Sequence, residues 1–455
     1  MFERLKEQTA LNPPRPPPPA APPPCQLPIG ALSAPGKRDL CRRLGATGYY
    51  FDHQPATAAC PRHRINGGKG AVLLCIAVVL LGIGNGGVPG AAARKQGKQS
   101  LGFYELRRGE FSMVVTNWGA TILARLHALL DLHSAPAPAA LIVCVDLTAG
   151  HIDDVVLGYK DIGSYVNDTT YFGALVGRVA NRIAGGRFTI KDHAYHTYKN
   201  DGKNTLHGGH RGFNQVFWSV RERVTGEFPH ITFSYRSYDG EQGFPGNLDV
   251  LVTYKIDGDL SYSVTMYARP IDKPTPVNLA QHTYWNLRGH GNGTVLNHSV
   301  QIFASAVTPV RAGGDLIPTG AVAPVAGTPF DFRFPAAAGA RIGEVEGGYD
   351  INYVLDGAAD GQGVRKVAVV SEAESGRVME LWANQPGLQF YTGNFLKGDE
   401  GKGGAAYAKY GGMCLETQDY PDAVHEPEFP GEVYRPGQVY KHYMLYKLGA
   451  CDCRQ

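Results

Sequence analysis

Beyond Ser100 the chain consists of short segments in which apolar and polar residues alternate, separated by turns rich in Gly, Asp and Asn. Such alternation predicts half-buried β-strands, because successive side chains of a strand point to opposite faces. The clearest series are Ile231/Phe233/Tyr235, Leu248/Val250/Val252/Tyr254/Ile256 and Leu260/Tyr262/Val264/Met266, with further strand-like runs at 111–116, 366–370 and 378–382. No long run of helical period follows Asp153, so we expect an all-β fold, a large antiparallel β-sandwich.

The N-terminal part of the chain lacks this pattern. Residues 12–24 are almost all Pro and Ala, and no apolar period appears before residue 70. A segment of this composition cannot bury enough apolar surface to offset the loss of conformational entropy. We therefore predict that residues 1–70 form a disordered, Pro/Gly-rich extension.

A continuous apolar run, AVLLCIAVVLLGI, occupies residues 71–83 and follows the basic residues Arg62, Arg64 and Lys69. Its length is typical of a signal-peptide core, and we predict a signal-like segment and linker over 71–100. Its distance from the first methionine leaves a buried core segment as the alternative. The first interpretation places the protein in the secretory pathway or outside the cell, and the second in the cytoplasm. Membrane contact is expected only if the segment is an uncleaved anchor.

Charge and cysteine content limit the classes of partner. The 455 residues include 44 Lys and Arg against 41 Asp and Glu, a net charge of +3, and no basic run of five or more. Nucleic acid is therefore not an expected partner. Of the 8 cysteines, only Cys414 lies between Cys144 and Cys451, so the middle of the chain has no internal disulfide and no zinc-site spacing.

Four segments place titratable side chains among glycines and aromatics: GRVANRI at 177–183, NTLHGG at 204–209, QHTYWN at 281–286 and MCLETQDYPD at 413–422. Taken singly, most of these side chains have an ordinary explanation. His207 fits a turn, His282 a core, Arg182 a surface, and Asp350 an Asx-turn after two glycines. Glu416 is more informative, because a carboxylate inside an apolar strand is costly to bury unless it has a partner or a function.

In this order, and together with GYD at 348–350 and QPGLQFYTGNF at 385–395, the four segments resemble the signature of the aldose 1-epimerase (galactose mutarotase) family. The resemblance extends from about residue 101 to 448. It implies a galactose mutarotase-like supersandwich, with a mutarotase domain at 101–450. It also implies an isomerase that interconverts the α and β anomers of free hexoses such as glucose and galactose, with no cofactor and no metal.

Mutarotation requires a base that removes the proton of the anomeric hydroxyl and an acid that protonates the ring oxygen, tasks suited to a carboxylate and an imidazole. The resemblance implies that Glu416 is the base and His282 the acid, while His207 is a second catalytic histidine that orients the sugar. It implies substrate binding by Asn181, Arg182, Asp350 and Gln389. It also implies apolar contacts to the sugar ring from Tyr284, Trp285 and Phe390.

Two other functions are compatible with these residues. A non-catalytic sugar-binding β-sandwich would keep the pocket, but it would not need both an acid and a base. A hexose-phosphate epimerase would need additional cations at the pocket rim, for which Arg178 and Arg187 are the candidates. Under the favoured hypothesis the partner is a free hexose, and the protein is a monomer.

One segment departs from the family pattern. Between residues 123 and 153, where a short connection is expected, the chain has a helix-like run at 126–132, a Ser-Ala-Pro-Ala-Pro linker and an apolar run at 141–147. We interpret residues 124–151 as an atypical insertion, either a retained non-coding segment or a surface excursion, because loops tolerate added length.

Overall fold

The structure is a computed structural model of the chain, and it describes residues 100–123, 143–145, 152–357 and 363–450. The predicted extension at 1–70, the apolar segment at 71–83 and most of the predicted insertion lie outside the described residues. Within the insertion, Val143–Val145 pairs with Ile152–Asp154 as an antiparallel ladder. In the described ranges, no helix is both long enough and apolar enough to cross a membrane.

The described residues form thirty β-strands, one short α-helix and five 3-10 helices. The strands, in chain order, are β1 (Phe103–Arg108), β2 (Phe111–Thr116), β3 (Ile122–Leu123), β4 (Val143–Val145), β5 (Ile152–Asp154), β6 (Ala174–Val176), β7 (Arg182–Ile183), β8 (Arg187–Ile190), β9 (His193–His196), β10 (Thr205–Leu206), β11 (Ser219–Val224), β12 (His230–Ser237), β13 (Leu248–Gly258), β14 (Ser261–Pro270), β15 (Thr275–Pro276), β16 (Ala280–His282), β17 (Tyr284–Trp285), β18 (Ser299–Ile302), β19 (Ala304–Thr308), β20 (Ala323–Pro324), β21 (Ala336–Ala337), β22 (Asp350–Leu355), β23 (Arg365–Ser371), β24 (Arg377–Ala383), β25 (Gly387–Tyr391), β26 (Asp399–Glu400), β27 (Ala406–Tyr407), β28 (Met413–Gln418), β29 (Val433–Tyr434) and β30 (Tyr440–Ala450). The helices are α1 (Ile162–Val166) and the 3-10 turns Ala184–Gly186, Phe213–Gln215, Glu241–Gly243, Ile342–Glu344 and Lys402–Gly404.

Two antiparallel sheets dominate this arrangement. One has nine strands in the order β11-β12-β13-β14-β30-β24-β23-β18-β21, and the other has six in the order β17-β28-β25-β22-β19-β20. One hydrophobic core contains buried side chains from both sheets, such as Val252 and Met266 from the first and Leu388 and Leu415 from the second. Burying a large apolar side chain stabilises the fold by about 1.5–3 kcal/mol. The predicted all-β sandwich is confirmed.

The alternating series correspond to the long strands of the nine-stranded sheet. On β13 the buried residues are Leu248, Val250, Val252, Tyr254 and Ile256, while the residues between them are exposed or half-buried. The series in β12 and β14 likewise place their apolar residues at buried or half-buried positions. The α-helix, by contrast, has only 5 residues and is capped by the Asp161 carboxylate, which accepts from the Ser164 amide.

A buried ion pair joins two segments near the six-stranded sheet. Lys402 Nζ lies 2.7 Å from Asp154 Oδ2 and also donates to the Val156 carbonyl. Both side chains are about 95 % buried, at 5 % and 6 % exposure. Burial lowers the pKa of the Lys402 ammonium, and the neighbouring Asp154 carboxylate opposes that effect. The pair therefore connects the strand β5 to the segment that follows β26.

We expect Asp154→Asn to lower the free energy of unfolding by about 3–5 kcal/mol, because it leaves the buried ammonium of Lys402 without its counter-charge. Denaturant titration measures this change. The control is Glu400→Gln, which breaks the exposed Lys160–Glu400 pair and should change stability by about 0–1 kcal/mol. Equal effects of the two substitutions would contradict a stabilising role for the buried pair.

Candidate active site

A cavity of about 360 Å³ lies at the six-stranded sheet and the short strands beside it. All seven residues selected from the sequence as catalytic or substrate-binding line this cavity: Asn181, Arg182, His207, His282, Asp350, Gln389 and Glu416. They come from six separate parts of the chain. The other residues that line the cavity are Thr169, Thr170, Tyr171, Leu206, Tyr284, Tyr391, Phe395, Lys397 and Asp399.

Glu416 reaches the cavity because β28 has two different faces. All six residues of β28 are buried. Met413 and Leu415 pack in the central core, so the alternation of the strand directs Glu416 to the opposite side, where it lines the cavity. The strand β25 pairs Gln389 with Glu416, which places the two side chains next to each other on the same face.

The carboxylate of Asp350 lies beside this pair. Asp350 begins β22, the neighbour of β25, and Gln389 Nε2 donates to its Oδ1 at 2.6 Å. Two buried acceptors, Glu416 Oε2 and Gln389 Oε1, have no hydrogen-bond partner among the described residues. An unsatisfied buried acceptor costs about 1–3 kcal/mol, so these oxygens are suited to accept hydrogen bonds from the hydroxyl groups of a ligand.

His282 is the last residue of β16 and lies directly opposite Glu416. Its Nε2 is 3.6 Å from Glu416 Oε1, and its Nδ1 is 3.7 Å from the sulfur of Cys414. The ring is enclosed by the aromatic rings of Tyr171, at 5.6 Å between centroids, and Tyr284, at 5.1 Å. The imidazole is therefore fixed in place beside the carboxylate.

His207 is held differently, by the backbone of Asn181. Both residues have left-handed backbone conformations, with φ of 49° and 59°. The His207 amide donates to the Asn181 carbonyl at 2.9 Å, and the Asn181 amide donates to His207 Nδ1 at 3.1 Å. Because Nδ1 accepts from a backbone N–H, the ring hydrogen of neutral His207 must lie on Nε2. His207 is thus a fixed hydrogen-bond donor.

Arg182 supplies a positive charge at the cavity wall. Its Nε donates to Asp201 Oδ2 at 2.8 Å, and the side chain is 10 % exposed. The strand β7, which begins at Arg182, pairs with β10, so the segments of Arg182 and His207 are adjacent. Its charge also acts on the two buried carboxyl groups of the cavity, because it lowers the pKa of Glu416 and of Asp350 against the effect of burial.

Burial shifts the pKa values of the acid/base candidates in opposite directions. It raises the pKa of Glu416 well above its usual range; the charge of Asp350 adds to this and Arg182 opposes it. Burial lowers the pKa of His282 to about 4. It also lowers the pKa of His207 well below its usual range, with further lowering from His282 and Arg182. Perturbed pairs of this kind are typical of acid/base sites.

Glu416, His282 and His207 also form the one group in the described residues that could hold a metal ion, with one ligand atom of each lying within 4.8 Å of the others. The hydrogen bond at His207 opposes this. A metal would have to displace either the backbone N–H from Nδ1 or the hydrogen from Nε2. The absence of a metal and of a cofactor remains a prediction from the sequence.

Some sequence-based assignments in this region are wrong. Trp285 and Phe390 are buried in the central core and do not line the cavity. Trp285 follows Tyr284 and Phe390 follows Gln389, and both of these preceding residues line the cavity. Because side chains alternate along a strand, Trp285 and Phe390 face the opposite side. The apolar faces at the cavity come from Tyr284 and from aromatic residues that the sequence did not single out, Tyr171, Tyr391 and Phe395.

The proposed phosphate-binding cations also lie elsewhere. The buried guanidinium of Arg178 donates to the carbonyls of Pro245 and Gly246, at 2.8 and 3.0 Å, and to the Thr275 hydroxyl at 3.1 Å. Arg187 does not line the cavity. The arginine and lysine residues that line it within the described ranges are Arg182 and Lys397. Among the described residues, the two arginines considered for a hexose-phosphate epimerase therefore do not line the cavity.

The sequence missed two further features. Asp201, the partner of Arg182, follows no recognisable motif and is identified only by its contact. Tyr391 could have been found, because it lies two residues after Gln389 on β25 and therefore shares its face.

Comparison with known proteins identifies the family of the chain. The family model described as "Aldose 1-epimerase" matches residues 139–447. The galactose mutarotase of Mus musculus is 42% identical over 347 residues, which are 76% of this chain and 93% of the relative. The aldose 1-epimerase of Escherichia coli (strain K12) is 36% identical over 330 residues, which are 71% of this chain and 88% of the relative.

The fold has relatives of known structure. The crystal structure of the aldose epimerase homologue from C. elegans superposes with a TM-score of 0.67 and 25% identity, covering 78% of this chain and 100% of that chain. The chain belongs to the aldose 1-epimerase family. Within that family it is a mutarotase, an isomerase that interconverts the anomers of a hexose.

Proposed function

We propose that the protein opens and recloses the ring of a free hexose, galactose or glucose, with Glu416 as the base and His282 as the acid. The observation that supports this assignment is the difference between the two histidines. Protonation of His207 at Nδ1 would place two N–H donors against each other, so His207 keeps one protonation state. In the described part of the chain, Nδ1 of His282 contacts the Cys414 sulfur where His207 has a backbone amide, and Nε2 of His282 lies 3.6 Å from Glu416 Oε1.

In the proposed reaction, the Glu416 carboxylate takes the proton of the anomeric hydroxyl while the His282 imidazolium donates a proton to the ring oxygen. The bond between C1 and the ring oxygen breaks, leaving an aldehyde at C1 and a hydroxyl at C5. Rotation about C1–C2 presents the other carbonyl face. Closure reverses both transfers: His282 recovers the proton of the attacking hydroxyl, and Glu416 returns its proton to the oxygen on C1.

Catalysis in both directions requires that the state with the proton on His282 and the state with the proton on Glu416 have similar free energies. Ring opening converts a carboxylate and an imidazolium into a carboxylic acid and a neutral imidazole, and ring closure does the reverse. Burial disfavours charge on both groups, raising the pKa of Glu416 and lowering that of His282, whereas Arg182 favours the carboxylate. At 3.6 Å the two groups are close enough to share one proton.

The other cavity residues are assigned to binding. His207 donates through Nε2–H to a sugar oxygen, and Arg182 donates likewise. Asp350, Gln389 and Asn181 accept from or donate to the hydroxyl groups around the ring. Sugar hydroxyls both donate and accept, so a mixed set of this kind can satisfy them.

Polarimetry tests the function directly. We expect the protein to accelerate the change of optical rotation of α-D-galactose and α-D-glucose, with little effect on glucose 6-phosphate, because neither Arg178 nor Arg187 is among the described residues that line the cavity. Binding of the free sugars without acceleration would instead identify a sugar-binding protein. Preference for the phosphorylated sugar would identify a hexose-phosphate epimerase.

We expect a shortened chain that begins at Ser100 to fold and to keep its full turnover. The described core begins with β1 at Phe103, and the mouse relative matches over 93% of its own length. Circular dichroism and polarimetry on the two chain lengths measure this. Loss of folding on shortening would place the apolar run at 71–83 in the core and remove the signal-peptide interpretation.

A further inference from the structure

The two nitrogens of His282 face two residues of one strand. Cys414 and Glu416 are two positions apart on β28, so they project from the same face. Cys414 Sγ lies 3.7 Å from Nδ1, and Glu416 Oε1 lies 3.6 Å from Nε2. The imidazole therefore lies along the strand, with the thiol at one end and the carboxylate at the other.

We propose that Cys414 is a positioning residue that holds Nδ1 of His282 in both protonation states of the ring. The inference rests on the proposed function, in which His282 gains and loses a proton in each catalytic cycle. The cysteine itself lies behind the histidine and is not among the residues that line the cavity.

A thiol is suited to this position because its sulfur is a weak acceptor. The imidazolium loses its proton from Nε2, which faces Glu416, so Nδ1 keeps its hydrogen and the sulfur accepts from Nδ1–H in both states of the ring. A backbone N–H, as at His207, would exclude the imidazolium, and a carboxylate would stabilise it too strongly for an acid. Burial raises the pKa of the Cys414 thiol well above its usual range, which keeps the hydrogen on the sulfur.

The aromatic neighbours cannot replace this contact. The rings of Tyr171, Tyr284 and His207 lie 5.6, 5.1 and 5.2 Å from that of His282 and hold its plane. Ring-to-ring contacts do not distinguish a ring nitrogen from a ring carbon. The thiol does, because only a nitrogen can exchange a hydrogen bond with it. Cys414, together with the backbone carbonyl of His282 that also hydrogen-bonds the ring, thus favours the orientation that points Nε2 at Glu416.

The test compares Cys414→Ala with Cys414→Ser, two side chains of nearly equal volume of which only serine keeps a hydrogen-bonding group. We expect Cys414→Ala to lower kcat about tenfold, the loss of one ordinary hydrogen bond, with KM little changed. Cys414→Ser should keep kcat within about threefold of the unmodified protein. Thermal unfolding of both variants measures the effect on packing, which should be similar for the two.

Nitrogen-15 NMR of His282 gives a second, independent readout. We expect one neutral tautomer, with hydrogen on Nδ1, in the unmodified protein and in Cys414→Ser, and a mixture in Cys414→Ala. Equal kcat in the alanine and serine variants, whether fast or slow, would overturn the inference, as would an unchanged tautomer in the alanine variant. Full turnover of His282→Asn would instead overturn the proposed function itself.

Discussion

Glu416→Gln is expected to lower the rate of anomer interconversion by at least about 100-fold, the lower end of the contribution of a positioned general base. Glutamine keeps the shape of the side chain and its place on β28 beside Gln389, but it cannot take the anomeric proton. The amide can still hydrogen-bond the sugar, so binding should largely survive. Polarimetry measures the turnover, and calorimetric titration with galactose measures the binding.

Glu432→Gln is the matched control for this substitution. Glu432 is also a fully buried carboxyl group whose pKa is raised well above its usual range by burial, but it does not line the cavity. If both substitutions reduced turnover equally, the loss would reflect disturbed packing. If Glu416→Gln kept the unmodified rate, the assignment of Glu416 as the base would be wrong.

The substitution His282→Asn should lower kcat by about 100-fold or more with little change in KM, because a general acid acts only in the transition state. His207→Asn should differ. His207 donates a hydrogen bond to bound sugar before and during the reaction, so its loss should raise KM clearly as well as reduce kcat. Steady-state polarimetry over a range of sugar concentrations separates the two effects.

The pH profile of the same variants gives a further check. An acid and a base acting together produce a bell-shaped kcat/KM, in which loss of the acid's proton causes the alkaline limb. That limb should be absent from His282→Asn and present in His207→Asn, whose Nδ1 already accepts from a backbone amide. The reverse pattern would exchange the roles of the two histidines.

The fold could be predicted because its long strands have one buried face each. In β13 every apolar residue of the alternating series is buried, so the pattern alone indicates both the strand and its orientation. Shorter strands such as β7 and β10 have only 2 residues, which is too few for any period to be recognised. These are the strands that bring Arg182 next to His207.

The residues of the candidate site were predicted from motifs, but the protonation of its histidines was not. The motifs selected seven residues that line one cavity, but they did not show which histidine can gain and lose a proton. That distinction depends on two contacts: the Asn181 amide with His207, and the Cys414 thiol with His282. The partners are separated by 26 positions in the first contact and by 132 positions in the second. Sequence proximity likewise misplaced Phe390, because a neighbour in a strand faces the opposite side.

The two-faced burial of β28 has a consequence for natural variation of this protein. Most strands of a sandwich have a solvent-facing side on which substitutions are nearly neutral, but β28 has none, since all six of its residues are buried. A change at Met413 or Leu415 alters the packing beneath the sheet and shifts the backbone that holds Glu416. A substitution at these positions that leaves the stability unchanged can still reduce turnover. We therefore expect β28 to vary more slowly than strands with a less buried face, such as β13.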